Sequence, residues 1–382
     1  MTRFMNSKAR NSPGNYKPRL LMICHVPPPV HGAATVSKHV FESPDLQSQF
    51  DIELIELSMG GRGHEIRKFK LNKIVRALYL YWRIGRALVF RRPDLAYITV
   101  SISGFALWRD LIIVFLLKTF KIPRVFHMHT KGIKRRYDAS KKARIAYESL
   151  FADARVIHLS DTLASDLDPV TSKKSVHIVA NGVAVNCLRR RERRGETPPR
   201  ILFLSNLMQD KGPLELLAAS AILANRQIAH ELVFVGAERE PAVTRAIHDA
   251  ARQDSNRVSF AGPLYGAEKD RVWSETDIFV LPTFYEFECQ PLTLIEAMAH
   301  GLPSVATREG AISDMISDGV DGLLYDSHDV EALASHLSRL ISDAEMRHEL
   351  GDAAKRKYLE RYQLSTFQTN IANLMTWFHA SV

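Results

Sequence analysis

Four short apolar, partly β-branched segments in the second half of the chain, ILFLS (201–205), ELVFVG (231–236), RVSFAG (257–262) and DIFVLP (277–282), alternate with segments of helical pattern. That alternation restricts this half to a parallel sheet covered by helices on both faces. Such sheets bind ligands at the carboxyl ends of their strands, so the loops after these segments are where chemistry belongs. The richest of them follows DIFVLP. From Phe284 to Thr307 the sequence reads FYEFECQPLTLIEAMAHGLPSVAT, which sets Glu288 and Glu296 eight residues apart across the start of a helix. Pro291 suits the first helical position, and Gly301 and Pro303 stop the helix after roughly ten residues. Its N-terminal amides point into the loop that carries Glu288, and such an end attracts phosphate. A carboxylate does not bind phosphate usefully. The glutamates must therefore serve hydrogen-bond donors, which the hydroxyls of a sugar attached to that phosphate would supply.

A second loop agrees. Asn206-Leu207 and then Lys211-Gly212 follow ILFLS and precede the helical segment PLELLAASAILA, which puts a lysine where a diphosphate would lie. The lysine, the strand-end glycines Gly236 and Gly262 and the two glutamates should share one rim. In the first half RLLMICHV (19–26) reads as a strand running into a helix opened by Gly32 and two alanines. PDLAYITV (93–100) and PRVFHMHTKG (123–132) read as further strands, the second bearing His127 and His129 on one face by period-two alternation. His129, at the carboxyl end, is the one expected to face a ligand.

With these residues in place, the second half resembles the nucleotide-binding domain of retaining GT-B glycosyltransferases of the family 4 (group 1) kind. The segments that carry the resemblance are NLMQDKG, VFVG, ETDIFVLPT, ECQPLTLIEAMAHGLPSVAT and REGAISDMISDGVDGLLYD, in the family's order and spacing. The resemblance runs from about Pro18 to the C-terminus and implies an α/β architecture, with two Rossmann-like domains whose parallel sheets face each other across a cleft. It implies that Glu296 holds the nucleotide ribose and Lys211 the diphosphate. Glu288, with Cys289, Gln290 and the amides of Leu292 and Thr293, would hold the donor sugar and its phosphates, while Gly32 approaches them from the facing domain. His129 would contact the transferred sugar, which makes His129, Glu288 and Lys211 the catalytic set. Asn206 and Gly236 join the donor-binding set. Three departures stand out: Asn206 replaces the usual arginine, Cys289-Gln290-Pro291 the usual glycine-aromatic-glycine, and Gly310-Ala311 the usual glycine pair after Glu309. Arg308 is the candidate to replace the lost positive charge. Asn181-Gly182 resembles the family's structural turn before the linker.

The expected organisation is a disordered tail over 1–17, a first domain over 18–186, a charged linker over 187–200 and a second domain over 201–364, with a last helix over 365–382 returning to the first domain. The three cysteines, Cys24, Cys187 and Cys289, neither pair evenly nor show metal spacing, which fits a reducing cytosol. LIIVFLL (111–117), the longest apolar run, falls well short of the about 20 residues a spanning helix needs. The net charge of +9 concentrates between Arg62 and Arg92, where Glu65 is the only acid before Asp94. A basic amphipathic helix over 67–89 is expected. Its stripe of Leu71, Ile74, Val75, Leu78, Trp82 and Val89 would pack on the sheet, with Lys68, Lys73, Arg76, Arg83 and Arg86 beside it. That basic side could meet an anionic membrane surface. Nucleic acid is disfavoured because no base-stacking motif, zinc spacing or recognition helix accompanies the charge.

These readings converge on transfer of a sugar from a nucleotide-diphosphate donor to an acceptor hydroxyl, with no cofactor or metal required. By analogy the acceptor would be a lipid-linked saccharide in bacterial surface polysaccharide assembly, with the enzyme in the cytoplasm or peripheral on the inner membrane. The alternatives are a glycoside hydrolase, which would not need Lys211, a nucleotide-sugar epimerase of the same architecture, and a non-catalytic basic membrane-binding protein.

Overall fold

The computed structural model describes residues 17–28, 30–57, 69–186, 197–255 and 257–381, with the helical backbone alone for 69–74. All of the expected tail but Lys17, and most of the expected linker, including Cys187, lie outside the described residues. The first sheet contains β1 (Arg19–Cys24), β2 (Asp51–Glu56), β3 (Leu95–Ile98), β4 (Arg124–His127), β5 (Arg155–His158) and β6 (Val176–Ile178), in the order β2-β1-β3-β4-β5-β6. The second contains β7 (Arg200–Leu204), β8 (Glu231–Val235), β9 (Val258–Phe260), β10 (Ile278–Leu281), β11 (Ser304–Thr307) and β12 (Leu323–Tyr325), in the order β12-β11-β10-β7-β8-β9. Every pairing is parallel. The strand order reverses beside β1 in one sheet and beside β7 in the other. Loops diverge at such a switch point and leave a crevice.

Each sheet is sandwiched because its strands are apolar on both faces. In the first domain the helices Phe69–Phe90, Gly104–Thr119 and Lys141–Phe151 cover one face through residues such as Ile84, Ile113 and Leu150. Gly32–Phe41 and the terminal helix Leu364–Ala380 cover the other, where Phe367, Ile371, Met375 and Phe378 join Val36, Val40 and Tyr97 in one core. In the second domain Pro213–Asn225, Pro241–Gln253 and Val330–Ser342 lie on one face, and Leu292–Ala299 and Ala344–Arg361 on the other.

The helix Phe69–Phe90 overturns one expectation. Ala77, Leu80, Ile84, Ala87 and Leu88 are the buried residues, whereas Val75, Leu78, Trp82 and Val89 face outward. The helix carries two apolar stripes, and the one containing small alanines lies against the sheet because it allows closer approach. Lys68 lies outside the described residues, as do the side chains of Leu71, Lys73 and Ile74. Among the described residues no helix is long and apolar enough to cross a membrane.

Candidate functional site

The carboxyl ends of the two sheets face each other across a cleft of about 910 Å³. Lys211 enters it from a short helical turn, Gln209–Lys211, that follows β7. Gly212 then turns the chain at φ 75° into the helix Pro213–Asn225. A side chain there could not be accommodated, since a Cβ would sit 2.0 Å from the Pro282 carbonyl oxygen. Lys211 is thus fixed against the end of β10. Its Nζ donates to Glu288 Oε2 at 2.7 Å and stands 4.1 Å from the centroid of the Tyr285 ring. Thr283 Oγ1 donates to the same carboxylate oxygen at 3.1 Å. Glu288 is buried, so a cation and a hydroxyl hold it where water cannot.

The loop that carries Glu288 rests on a second loop. Ala311 donates its amide to the Cys289 carbonyl at 2.8 Å. Gly310 has φ 57°, and a Cβ on it would lie 2.2 Å from the Glu288 carbonyl oxygen. Ala311, at φ −87°, needs no glycine. This explains how the chain keeps the first glycine of the family's pair and drops the second. Gly310→Ala should destabilise the second domain by about 2–4 kcal/mol, through left-handed backbone strain and displacement of the Glu288 loop. A lowered urea midpoint together with weakened donor binding is the expected result, and an unchanged midpoint would contradict the packing described here.

Pro291 is the N-cap rather than the first residue of the helix Leu292–Ala299, and Leu292 and Thr293 at its start line the cleft. One turn on, Glu296 Oε1 accepts from Lys269 Nζ at 2.7 Å. Its Oε2 is buried without a hydrogen-bond partner. Burial raises the Glu296 carboxyl above its ordinary range, against the pull of Lys269. Gly236 and the exposed Asn206 line the same wall.

On the facing wall, β4 ends at His127, and His129 follows two residues beyond it. The two rings are 4.2 Å apart between centroids. His127 is fully buried and bonded through Nδ1 to the Tyr97 hydroxyl at 2.7 Å. His129 lines the cleft, and its Nε2 is buried without a partner. Burial first, then the nearby His158 and His31, lower His129 to about 3. It is a neutral imidazole at pH 7. Gly32 opens the helix Gly32–Phe41 at the cleft, and no atom lies within 4 Å of where its Cβ would be.

The walls are bridged around the cleft. Gln290 accepts from the Asn181 amide through its Oε1, and its carbonyl accepts from Asn181 Nδ2. Lys131 pairs with Glu309 and Arg135 with Glu286, while Thr162 Oγ1 donates to Asp314 Oδ1 at 2.7 Å. Asn181, read from the sequence as part of a structural turn, therefore spans the two domains. Cys289 is buried beside these bridges, and its thiol is pushed up by burial.

Arg308 does not serve the cleft. It pairs with Asp318 at 2.8 Å and Asp326 at 3.6 Å on the outside of the second domain. Among the described residues the arginine that lines the cleft is Arg239, three residues after Gly236. Sequence reasoning missed both Arg239 and Lys269; the first had a usable signal in its place just beyond a strand-end glycine.

Residues 198–343 match the family model described as Glycosyl transferases group 1. The second domain is a group 1 glycosyltransferase domain. Sulfoquinovosyl transferase SQD2 of Arabidopsis thaliana is 38% identical to the chain over 117 residues, which are 30% of this chain and 22% of that protein. A D-inositol 3-phosphate glycosyltransferase of Paenarthrobacter aurescens is 33% identical over 175 residues, 44% of this chain and 42% of that one. In both cases the match spans under half of the relative's own length. The structure of HepE from Anabaena, solved in complex with UDP, covers 94% of this chain and 99% of its own at TM-score 0.72 and 17% identity. The group 1 domain and the domain facing it together form a GT-B fold.

Proposed function

We propose that this protein is a glycosyltransferase that moves a sugar from a nucleotide-diphosphate sugar to an acceptor hydroxyl, with retention at the anomeric carbon. What carries the reading is the convergence of Lys211, Arg239, the start of the helix Leu292–Ala299 and the carboxylates Glu288 and Glu296 on one cleft. As the bond between the sugar and the diphosphate breaks, its electron pair leaves with the phosphate. Lys211, Arg239 and the amides of Leu292 and Thr293 would stabilise that growing charge without reorganising, so they favour the transition state over the ground state. The scheme needs no metal or other cofactor. The unsatisfied Oε2 of Glu296 is suited to a ribose hydroxyl. Glu288 would orient sugar hydroxyls while Lys211 shares its three protons between that carboxylate and the donor, and neutral His129 would contact the sugar from the other wall. The acceptor we propose is a lipid-linked saccharide in bacterial surface polysaccharide assembly, met on the cytoplasmic side of a membrane.

Thermal unfolding with a panel of UDP-, GDP-, ADP- and dTDP-sugars tests the donor site. One donor at a hundred times its dissociation constant should add about 2.7 kcal/mol of stability. Arg239→Ala should weaken that donor by about tenfold, the loss of one charge-assisted hydrogen bond. If no sugar nucleotide shifts the transition, the donor site as described is wrong.

A further inference from the structure

The outer surface of the first domain carries an apolar face that no other part of the described chain covers. On the helix Phe69–Phe90 the exposed residues Val75, Leu78, Tyr79, Trp82, Val89 and Phe90 recur at helical spacing and form one stripe, with Trp82 60% and Phe90 77% exposed. The neighbouring helix Gly104–Thr119 presents a second stripe of Phe105, Trp108, Ile112 and Phe115, with Trp108 58% and Phe115 67% exposed. Exposed apolar areas of this extent mark contact with a partner or a membrane.

The charges decide between them. The first helix has no Asp or Glu, and the single acid of the second, Asp110, is buried against Arg109. Cations lie within and around the stripes: Arg86 stands over the Trp82 ring at 5.9 Å, and Arg76 is exposed nearby. Arg92 reaches the Phe120 carbonyl at 3.3 Å, where the two helices end beside Lys121. Aromatic rings interleaved with cations and free of acids suit the boundary between anionic headgroups and acyl chains. Each cation near such a surface adds attraction.

We propose that these two helices dock the protein on an anionic lipid bilayer, with the Trp82 and Trp108 rings inserted below the headgroups. The second stripe begins at Phe105, two residues after Ser103, which lines the cleft. Docking therefore brings the bilayer to the rim of the cleft on its first-domain side. The surface stands on its own observations and does not depend on the donor assignment.

Vesicles of phosphatidylcholine with about a third phosphatidylglycerol, against phosphatidylcholine alone, test the charge requirement by co-flotation of the full-length protein. The anionic vesicles should bind the protein and the neutral ones should bind it at least tenfold less. Bromine-labelled acyl chains should quench tryptophan fluorescence, and Trp82→Phe/Trp108→Phe should remove most of that quenching. Trp82→Ser/Trp108→Ser/Phe115→Ser should lower partition at least tenfold with an unchanged unfolding midpoint and unchanged turnover of a water-soluble acceptor. Binding that ignores the triple substitution, or quenching that persists in the Phe variant, would overturn the proposal. So would a wild-type protein that ignores anionic vesicles and instead forms a dimer broken by the same substitutions.

Discussion

Replacing Lys211 with methionine should lower the turnover of the nucleotide-sugar donor by about 10²–10³, the cost of removing one preorganised donor from a developing oxyanion. Methionine keeps the length and apolar stem of lysine and deletes only the charge and the protons. The loss should fall mainly on kcat rather than KM, because charge on the leaving diphosphate is greatest in the transition state. A second effect accompanies it. Glu288 is buried and takes its strongest hydrogen bond from Lys211 at 2.7 Å, so the variant leaves a carboxylate held by Thr283 alone. Leaving such a group short of a partner costs about 1–3 kcal/mol, and rates should therefore be compared well below the unfolding midpoint. Lys211→Arg restores the charge with a bulkier planar head and should recover part of the rate. Unchanged turnover in Lys211→Met, with substrate saturating, would remove the lysine from the phosphate site.

How far the sequence could carry these assignments depends on the kind of information each one needs. The strands, their order along the chain and the loops that follow them are local features: DIFVLP and ELVFVG are short, apolar and bounded by turn residues, and they form β10 and β8. Cleft residues in the loops and helix starts that follow such strands, Lys211, Gly236, Glu288 and Thr293 among them, were legible for the same reason. The orientation of the helix Phe69–Phe90 was not, because periodicity reveals a stripe without saying which of two stripes meets the sheet. Ala77 and Ala87 lie on the buried side, where small side chains suit close packing on the sheet, a tertiary quantity. Arg308 and Arg239 differ in the same way. Both lie a few residues from the end of a strand, β11 and β8, yet the first is captured by Asp318 and Asp326 while the second lines the cleft. Asn181 and Gln290 meet only because the domains do.

Lowering the pH from 7 toward 4 should unfold this protein progressively, and its buried histidines give the sign. Burial lowers His25 and His158 to about 4 and His129 to about 3, and holds His127 well below the ordinary 6.5. Below pH 6.5 the unfolded chain takes up protons at these positions and the folded chain does not. Stability is therefore complete above that value and is lost as the pH falls toward the folded values, at a rate set by the difference in bound protons. The fully buried His127 and His158 should each contribute on the order of 1 kcal/mol per pH unit, and His129, half-buried on the cleft wall, less. Asp110 and Glu296 act in the opposite direction, since burial raises their carboxyls and the folded state takes up protons there first. The histidines outnumber them. Urea midpoints measured between pH 7 and 5 should fall, and His158→Gln should flatten the slope by the share of one histidine whatever it does to stability at pH 7. Because His158 and His31 both depress His129, the same substitution should let His129 protonate at a higher pH. A slope identical to that of the unaltered protein would mean that His158 is already protonated in the folded state and that the cleft wall around His129 is wetter than its burial indicates.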